Sequence, residues 1–172
     1  SEENTAIAIT RPYGSAIYAP QLALGGYLFN GYEGVEPGAP IELIGNVTYA
    51  AQWDPDPNTP YRVEYYVQTI NDDKYLRLGG ENGIISFFGT TDEVVPMSEH
   101  QIPIAGLEYE FATVNGERVE SVKIRPDGNT VLKLHYKRLK FEMNWIATGN
   151  GTVSGGTRGL VHYGHRIIQP TA

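Results

Sequence analysis

Cysteine is absent from the 172 residues. Its absence removes disulfide frameworks, thiolate zinc sites, iron–sulfur clusters and cysteine nucleophiles together. Long apolar runs are lacking too: the best, residues 22–29, is broken by Gly25 and Gly26. A spanning helix needs roughly 18 such residues, so no membrane insertion is expected. Basic charge is short, with 13 Lys and Arg against 20 Asp and Glu for a net charge of −7. Nothing here pulls the chain toward phosphate backbones or anionic lipid, and no nucleic-acid partner is expected. Helical periodicity is also missing: residues 17–24 and 91–97 have room for a short turn of helix and no more. The start, Ser1-Glu2-Glu3, is polar and acidic rather than basic and then apolar. Any export or anchoring signal is therefore expected outside these residues.

What is present points to strands. Twenty glycines, 11 prolines and 12 tyrosines against five phenylalanines combine frequent turns with strand-favouring rings. With 41% apolar residues, the chain has the material for one core or two small ones. Period-two alternation recurs. Tyr61, Val63, Tyr65 and Val67 oppose Arg62, Glu64 and Gln68; Leu107, Tyr109 and Phe111 oppose Glu108 and Glu110. Val122 and Ile124, then Leu132, Leu134 and Tyr136, oppose Lys123, Arg125, Lys133 and Lys137. Pro126-Asp127-Gly128-Asn129 lies between those last two runs, so residues 119–138 read as a hairpin. Val47, Tyr49, Ala51 and Trp53 make another strand, and Phe141, Met143, Trp145 and Ala147 one more. Each is half-buried, as a sheet with one face on a core requires.

Two features organise the chain. Asp54-Pro55-Asp56-Pro57-Asn58-Thr59-Pro60 is dense in proline, which lacks a ladder N–H and holds its predecessor extended, so it reads as a semi-rigid spacer dividing the chain near residue 57, the alternative being a rigid loop within one domain. Residues 11–20 are echoed by residues 161–170, where Tyr, Gly, Ile and Pro coincide at an offset of 150. That echo suggests about one period of a tandem array, cut out of phase.

These residues carry two resemblances. Tyr13-Gly14, Pro20, Gly26-Tyr27-Leu28-Phe29-Asn30-Gly31-Tyr32 and Asn46-Val47-Thr48-Tyr49-Ala50-Ala51-Gln52-Trp53 resemble the Listeria–Bacteroides repeat, the internalin B-repeat. Tyr32 stands where that family usually has Trp, and the family's first strand is missing; residues 141–160 look like that strand in a next copy. Residues 61–138 resemble a mucin-binding-protein (MucBP-like) module, opening with Tyr61-Arg62-Val63-Glu64-Tyr65-Tyr66 and closing with Asp127-Gly128-Asn129-Thr130-Val131-Leu132 and His135-Tyr136-Lys137-Arg138. The resemblances imply a mainly β, β-rich α+β fold of tandem small β-grasp-like (ubiquitin-like) modules. They divide the chain into a B-repeat-like module at 1–57, a MucBP-like module at 58–138 and, at 139–172, a hairpin opening a further repeat. They also imply display on a bacterial cell surface, through attachment outside this chain.

No motif supplies chemistry. His100, His135, His162 and His165 form no HExxH or HxH pattern; His162 and His165, flanking the Tyr163-Gly164 turn, read as solvated loop imidazoles rather than as sharing a metal. Asp54, Asp56 and Asn58 alternate like calcium ligands but lack the central Gly and closing Glu of a loop site. Asn71-Asp72-Asp73-Lys74 reads as a turn, and no frame holds two carboxylates as a glycosidase pair. The segment 149–157 has neither a phosphate-loop lysine nor a helix to enter. Asn46-Val47-Thr48 and Asn150-Gly151-Thr152 fit the glycan-acceptor pattern, which matters only in a eukaryotic secretory host. No catalytic residue, metal or cofactor is expected.

Aromatic rings are the remaining lead, because Tyr and Trp faces stack on sugars. Tyr65, Tyr66, Tyr75 and Tyr18 are the candidates, with Tyr66, on the polar side of its strand, expected to show an exposed ring. Tyr49, Trp53, Tyr109, Phe111 and Tyr136 are expected inside. The first reading is a non-catalytic repeat or stalk that spaces or presents an adhesive domain. Two others stay open: a module binding a host glycan, mucin or surface receptor, and a carboxylate-based hydrolase. Residues 141–148, from the same or a neighbouring chain, are expected to pair with the open sheet edge of residues 1–53.

Overall fold

A computed structural model describes residues 8–149, 151–152 and 158–166. Asn150 of the second glycan-acceptor pattern, most of the glycine-rich segment and residues 167–170 of the echo lie outside the described residues. The protein is mainly β. Helix among the described residues is limited to 3-10 turns at Gly80–Asn82 and Met97–His100. No helical turn forms over residues 17–24, where Ile17 closes a two-residue strand. The chain divides into two compact units, Ser1–Asp56 and Pro57–Ala172.

The first unit is thin. Strand β1 (Ala16–Ile17) pairs antiparallel with β3 (Ile41–Glu42), and β2 (Tyr27–Tyr32) with β4 (Ala51–Pro55). Phe29 lies opposite Trp53 in the second pair, their ring centroids 5.2 Å apart, and Tyr32 meets Phe29 edge-on. None of the described residues 8–56 is fully buried. Val47 and Tyr49, expected on a half-buried strand, precede β4 and are exposed.

The second unit holds the core. Its large sheet runs in the order β10 (Glu117–Val119), β9 (Leu107–Val114), β12 (Thr130–Arg138), β5 (Thr59–Gln68). The far edge of β5 is shared: β7 (Ile84–Gly89) takes its first half and β6 (Tyr75–Arg77) its end. A separate pair, β8 (Val94–Pro96) with β11 (Ser121–Lys123), contributes Val95 and Val122 to the core that the large sheet covers. Val63, Leu132, Leu134 and Ile124 are completely buried. Three core tyrosines explain the preference for Tyr over Phe, since a buried phenol seeks a partner. Tyr61 Oη meets His100 Nε2 at 3.1 Å, Tyr65 Oη donates to the His100 carbonyl at 2.9 Å, and Tyr136 Oη accepts from Ile102 N at 2.9 Å. Together they tie the segment 97–102 to the sheet.

Residues 119–138 are not a hairpin. The turn forms, with Gly128 N donating to the Arg125 carbonyl, but β11 pairs with β8 while β12 lies between β5 and β9. A strand has two edges, and both edges of β12 are taken by distant segments. A hairpin exists instead at β9 and β10, turning on Asn115 and Gly116, both at positive φ; this is the favoured two-residue connection. Finally β13 (Lys140–Asn144) pairs antiparallel with β14 (Arg158–His162). Of the segment 141–148, residues up to Asn144 thus have a local partner, and the strand ends before Trp145.

Candidate functional site

Two arrangements in the second unit are candidates for function: an aromatic row on the outer face of the large sheet, and the parallel pair at its centre.

The row follows from register. Tyr66 on β5 lies beside His135 on β12, which lies beside Phe111 on β9. Their rings stack: Tyr66 and His135 have centroids 5.2 Å apart at 21°, and His135 and Phe111 4.4 Å apart at 15°. Arg118 closes the row, its guanidinium carbon 3.9 Å from the Phe111 centroid, a cation–π contact. Tyr75 of β6 meets Phe111 and His135 edge-on. Tyr66 Oη donates to Glu64, whose other oxygen lies 3.3 Å from Arg77; Tyr75 Oη donates to Glu110.

Of the four ring candidates, Tyr65 is in the core, 4% exposed. Tyr66 is half-buried rather than exposed, with one face covered by His135 and Lys133 5.7 Å from its centroid. Tyr75 is half-buried and lines a shallow groove of about 390 Å³ with Phe111, Arg118, Lys137 and Lys140. Tyr18 of the first unit is exposed. The row presents ring edges to solvent, because stacking across strands turns the faces toward one another. Burial pushes the Tyr75 phenol up to about 12, helped by Glu110. Burial, then Glu64, raises Tyr66.

His165 is exposed in the loop after the Tyr163-Gly164 turn, and His162 is half-buried at the end of β14. His135 sits mid-strand with a buried Nδ1 that has no hydrogen-bond partner, and burial lowers its pKa. His100, beside Tyr61 and Phe87, is lowered by burial as well. His162 Nδ1 lies 2.9 Å from the Ile70 carbonyl oxygen. No three His, Asp or Glu side chains gather as a metal site among the described residues. Phe111 was expected inside and points outward, because Glu110 is the extra residue of a bulge between His135 and Tyr136. A bulge reverses the alternation beyond it, so Tyr109 and Ala112 share the core face. Nothing in residues 107–114 taken alone marks the bulge.

The second arrangement is the parallel ladder of β5 and β12, running without a break from Tyr61 beside Thr130 to Val67 beside Tyr136. These strands lie where the chain enters and leaves the residues 59–138. Parallel neighbours require a long crossover, so all of residues 69–129 closes around this pair. Compared with family models, curated proteins and solved structures, the chain gives no match.

Proposed function

We propose that the chain is a non-catalytic spacer of a bacterial cell-surface protein: small β modules in series, the first B-repeat-like and the second MucBP-like, holding an adhesive domain away from the cell wall. One observation carries the reading. Tension enters β5 at Thr59 and leaves β12 at Arg138, and these are opposite ends of adjacent parallel strands. Opposed forces along such strands slide one past the other, so the hydrogen bonds of the ladder resist together instead of opening in turn. Each is worth only about 0.5–1.5 kcal/mol net; loading them side by side is what makes the joint strong. β9 on the outer edge of β12 braces it further. The test is single-molecule stretching of the chain by its ends. A distinct high-force event that releases residues 59–138 is expected; release at the force of an ordinary hairpin removes the reading.

A second reading is favoured by the groove beside Tyr75, where Phe111 lies with Arg118, Lys137, Arg138 and Lys140, four cations against the carboxylates of Asp73 and Glu110. It is a glycan or receptor-binding surface for an anionic sugar. Binding on a glycan array that Tyr75→Ala abolishes supports it; an array without signal removes it.

A further inference from the structure

The echo at an offset of 150 is more than shared letters. Ser15 N donates to the Pro12 carbonyl at 3.1 Å, and His165 N to the His162 carbonyl at 3.0 Å. Gly14 has φ 75° and Gly164 φ 81°. Tyr13-Gly14 and Tyr163-Gly164 therefore form the same turn, with glycine in the left-handed conformation that side chains rarely adopt.

Their surroundings differ. Tyr163-Gly164 is seated in a socket on its own unit. Tyr163 N donates to the Leu139 carbonyl at 2.8 Å, and Arg138 Nη1 donates to the Tyr163 carbonyl at 3.0 Å. The Tyr163 ring lies flat on Gly106, where an added Cβ would overlap it, and Gly164 approaches Arg138 and Ile70. Arg138 is itself held by the Gln68 carbonyl, 2.7 Å from Nε. Tyr13 is 83% exposed against 43% for Tyr163. Neither its N–H nor its carbonyl has a backbone partner among the described residues.

We infer that the surface formed by Ile70, Gly106, Arg138 and Leu139 is a socket for a Tyr-Gly turn, and that Tyr13-Gly14 is a second plug for it, presented to the socket of another copy of this chain. Tyr13-Gly14 reproduces the ring on Gly106, the N–H to Leu139, the carbonyl to Arg138 and the close approach of the glycine. It loses one contact, the one His162 makes with Ile70, because Pro12 stands in that place. The resident plug is tethered to its socket, at an effective concentration on the order of mM. The wild-type chain at micromolar concentration therefore stays monomeric, with its own plug seated. The inference stands on the turn and its socket, whatever load the chain bears.

Removing the resident ring opens the socket. Tyr163→Ala is expected to self-associate in sedimentation velocity as concentration rises, whereas wild type and Tyr163→Phe stay monomeric. Tyr13→Ala added to Tyr163→Ala restores the monomer. In amide NMR of Tyr163→Ala, dilution shifts Gly106 and Arg138 while the signals of β5 and β12 show the unit folded. A monomeric, folded Tyr163→Ala overturns the inference, as does association that survives Tyr13→Ala. Where Tyr163→Ala loses the β5 and β12 signals, a peptide spanning residues 9–19 is added to wild type at millimolar concentration. Shifts at Gly106 then support the inference, and their absence overturns it.

Discussion

His135 and Phe111 lie face to face, centroids 4.4 Å apart and planes 15° from parallel, in the middle of the outer sheet face. The pair exists because the bulge at Glu110 turns Phe111 away from the core that its spacing from Tyr109 assigns it. With Tyr66 on one side and Arg118 on the other, the row fixes β5, β12, β9 and β10 laterally, across the strands that carry the proposed load.

Stability is expected to fall as the solution is acidified through the histidine range. His100 and His135 are both held below the ordinary value by burial, so the folded state binds fewer protons than the unfolded one there. The groups facing them are Tyr61, Phe87 and Glu99 at His100, and Lys133, Glu110, Tyr66 and Phe111 at His135. The sign follows: stability present above about pH 6.5 is lost progressively below it, until the folded-state values are passed. Urea unfolding at a series of pH values reads this. His100→Gln with His135→Gln flattens the slope in that window; an unchanged slope contradicts the assignment.

Gly89 faces the core closely enough that a Cβ would overlap Cδ1 of Ile124, itself fully buried. Gly89→Ala is expected to cost about 1–3 kcal/mol by overpacking. Ile124→Val removes the obstructing methyl, so the double variant is less destabilised than the sum of the two. Additive unfolding energies would show that the site has room.

The two units differ in how much they rest on burial. Leu134→Ala, at a completely buried position of the central strand, is expected to cost about 2–5 kcal/mol. Leu28→Ala, half-exposed in the first unit, changes stability by less than about 0.5 kcal/mol. Chemical denaturation monitored by amide NMR separates the two units and checks both.

How far the residues could be read is clear from particular strands. Tyr61, Val63 and Tyr65, and Leu132, Leu134 and Tyr136, fall inside as their alternation requires, because a buried face enforces period two wherever a strand is unbroken. The partner of each strand was not legible. β12 ignores the neighbour its turn offers, both of its edges being taken by β5 and β9. Phe111 and Tyr66 differ from their strand patterns for a related reason: a bulge and a cross-strand stack depend on register, which residues 107–114 or 61–68 alone do not contain. Asn115-Gly116, by contrast, carries its hairpin in the sequence itself.

The central claim is that β5 and β12 bear load in shear, and pulling direction tests it most directly. Handles at residues 59 and 138 slide the strands along each other; handles at residues 59 and 130 peel them apart from neighbouring ends. The hairpin of β13 and β14, whose outer ends Lys140 and His162 are paired, supplies an internal reference for peeling. The account predicts a rupture force several-fold higher for 59 with 138 than for 59 with 130, with the hairpin opening first in end-to-end pulling. Equal forces in the two directions would contradict it.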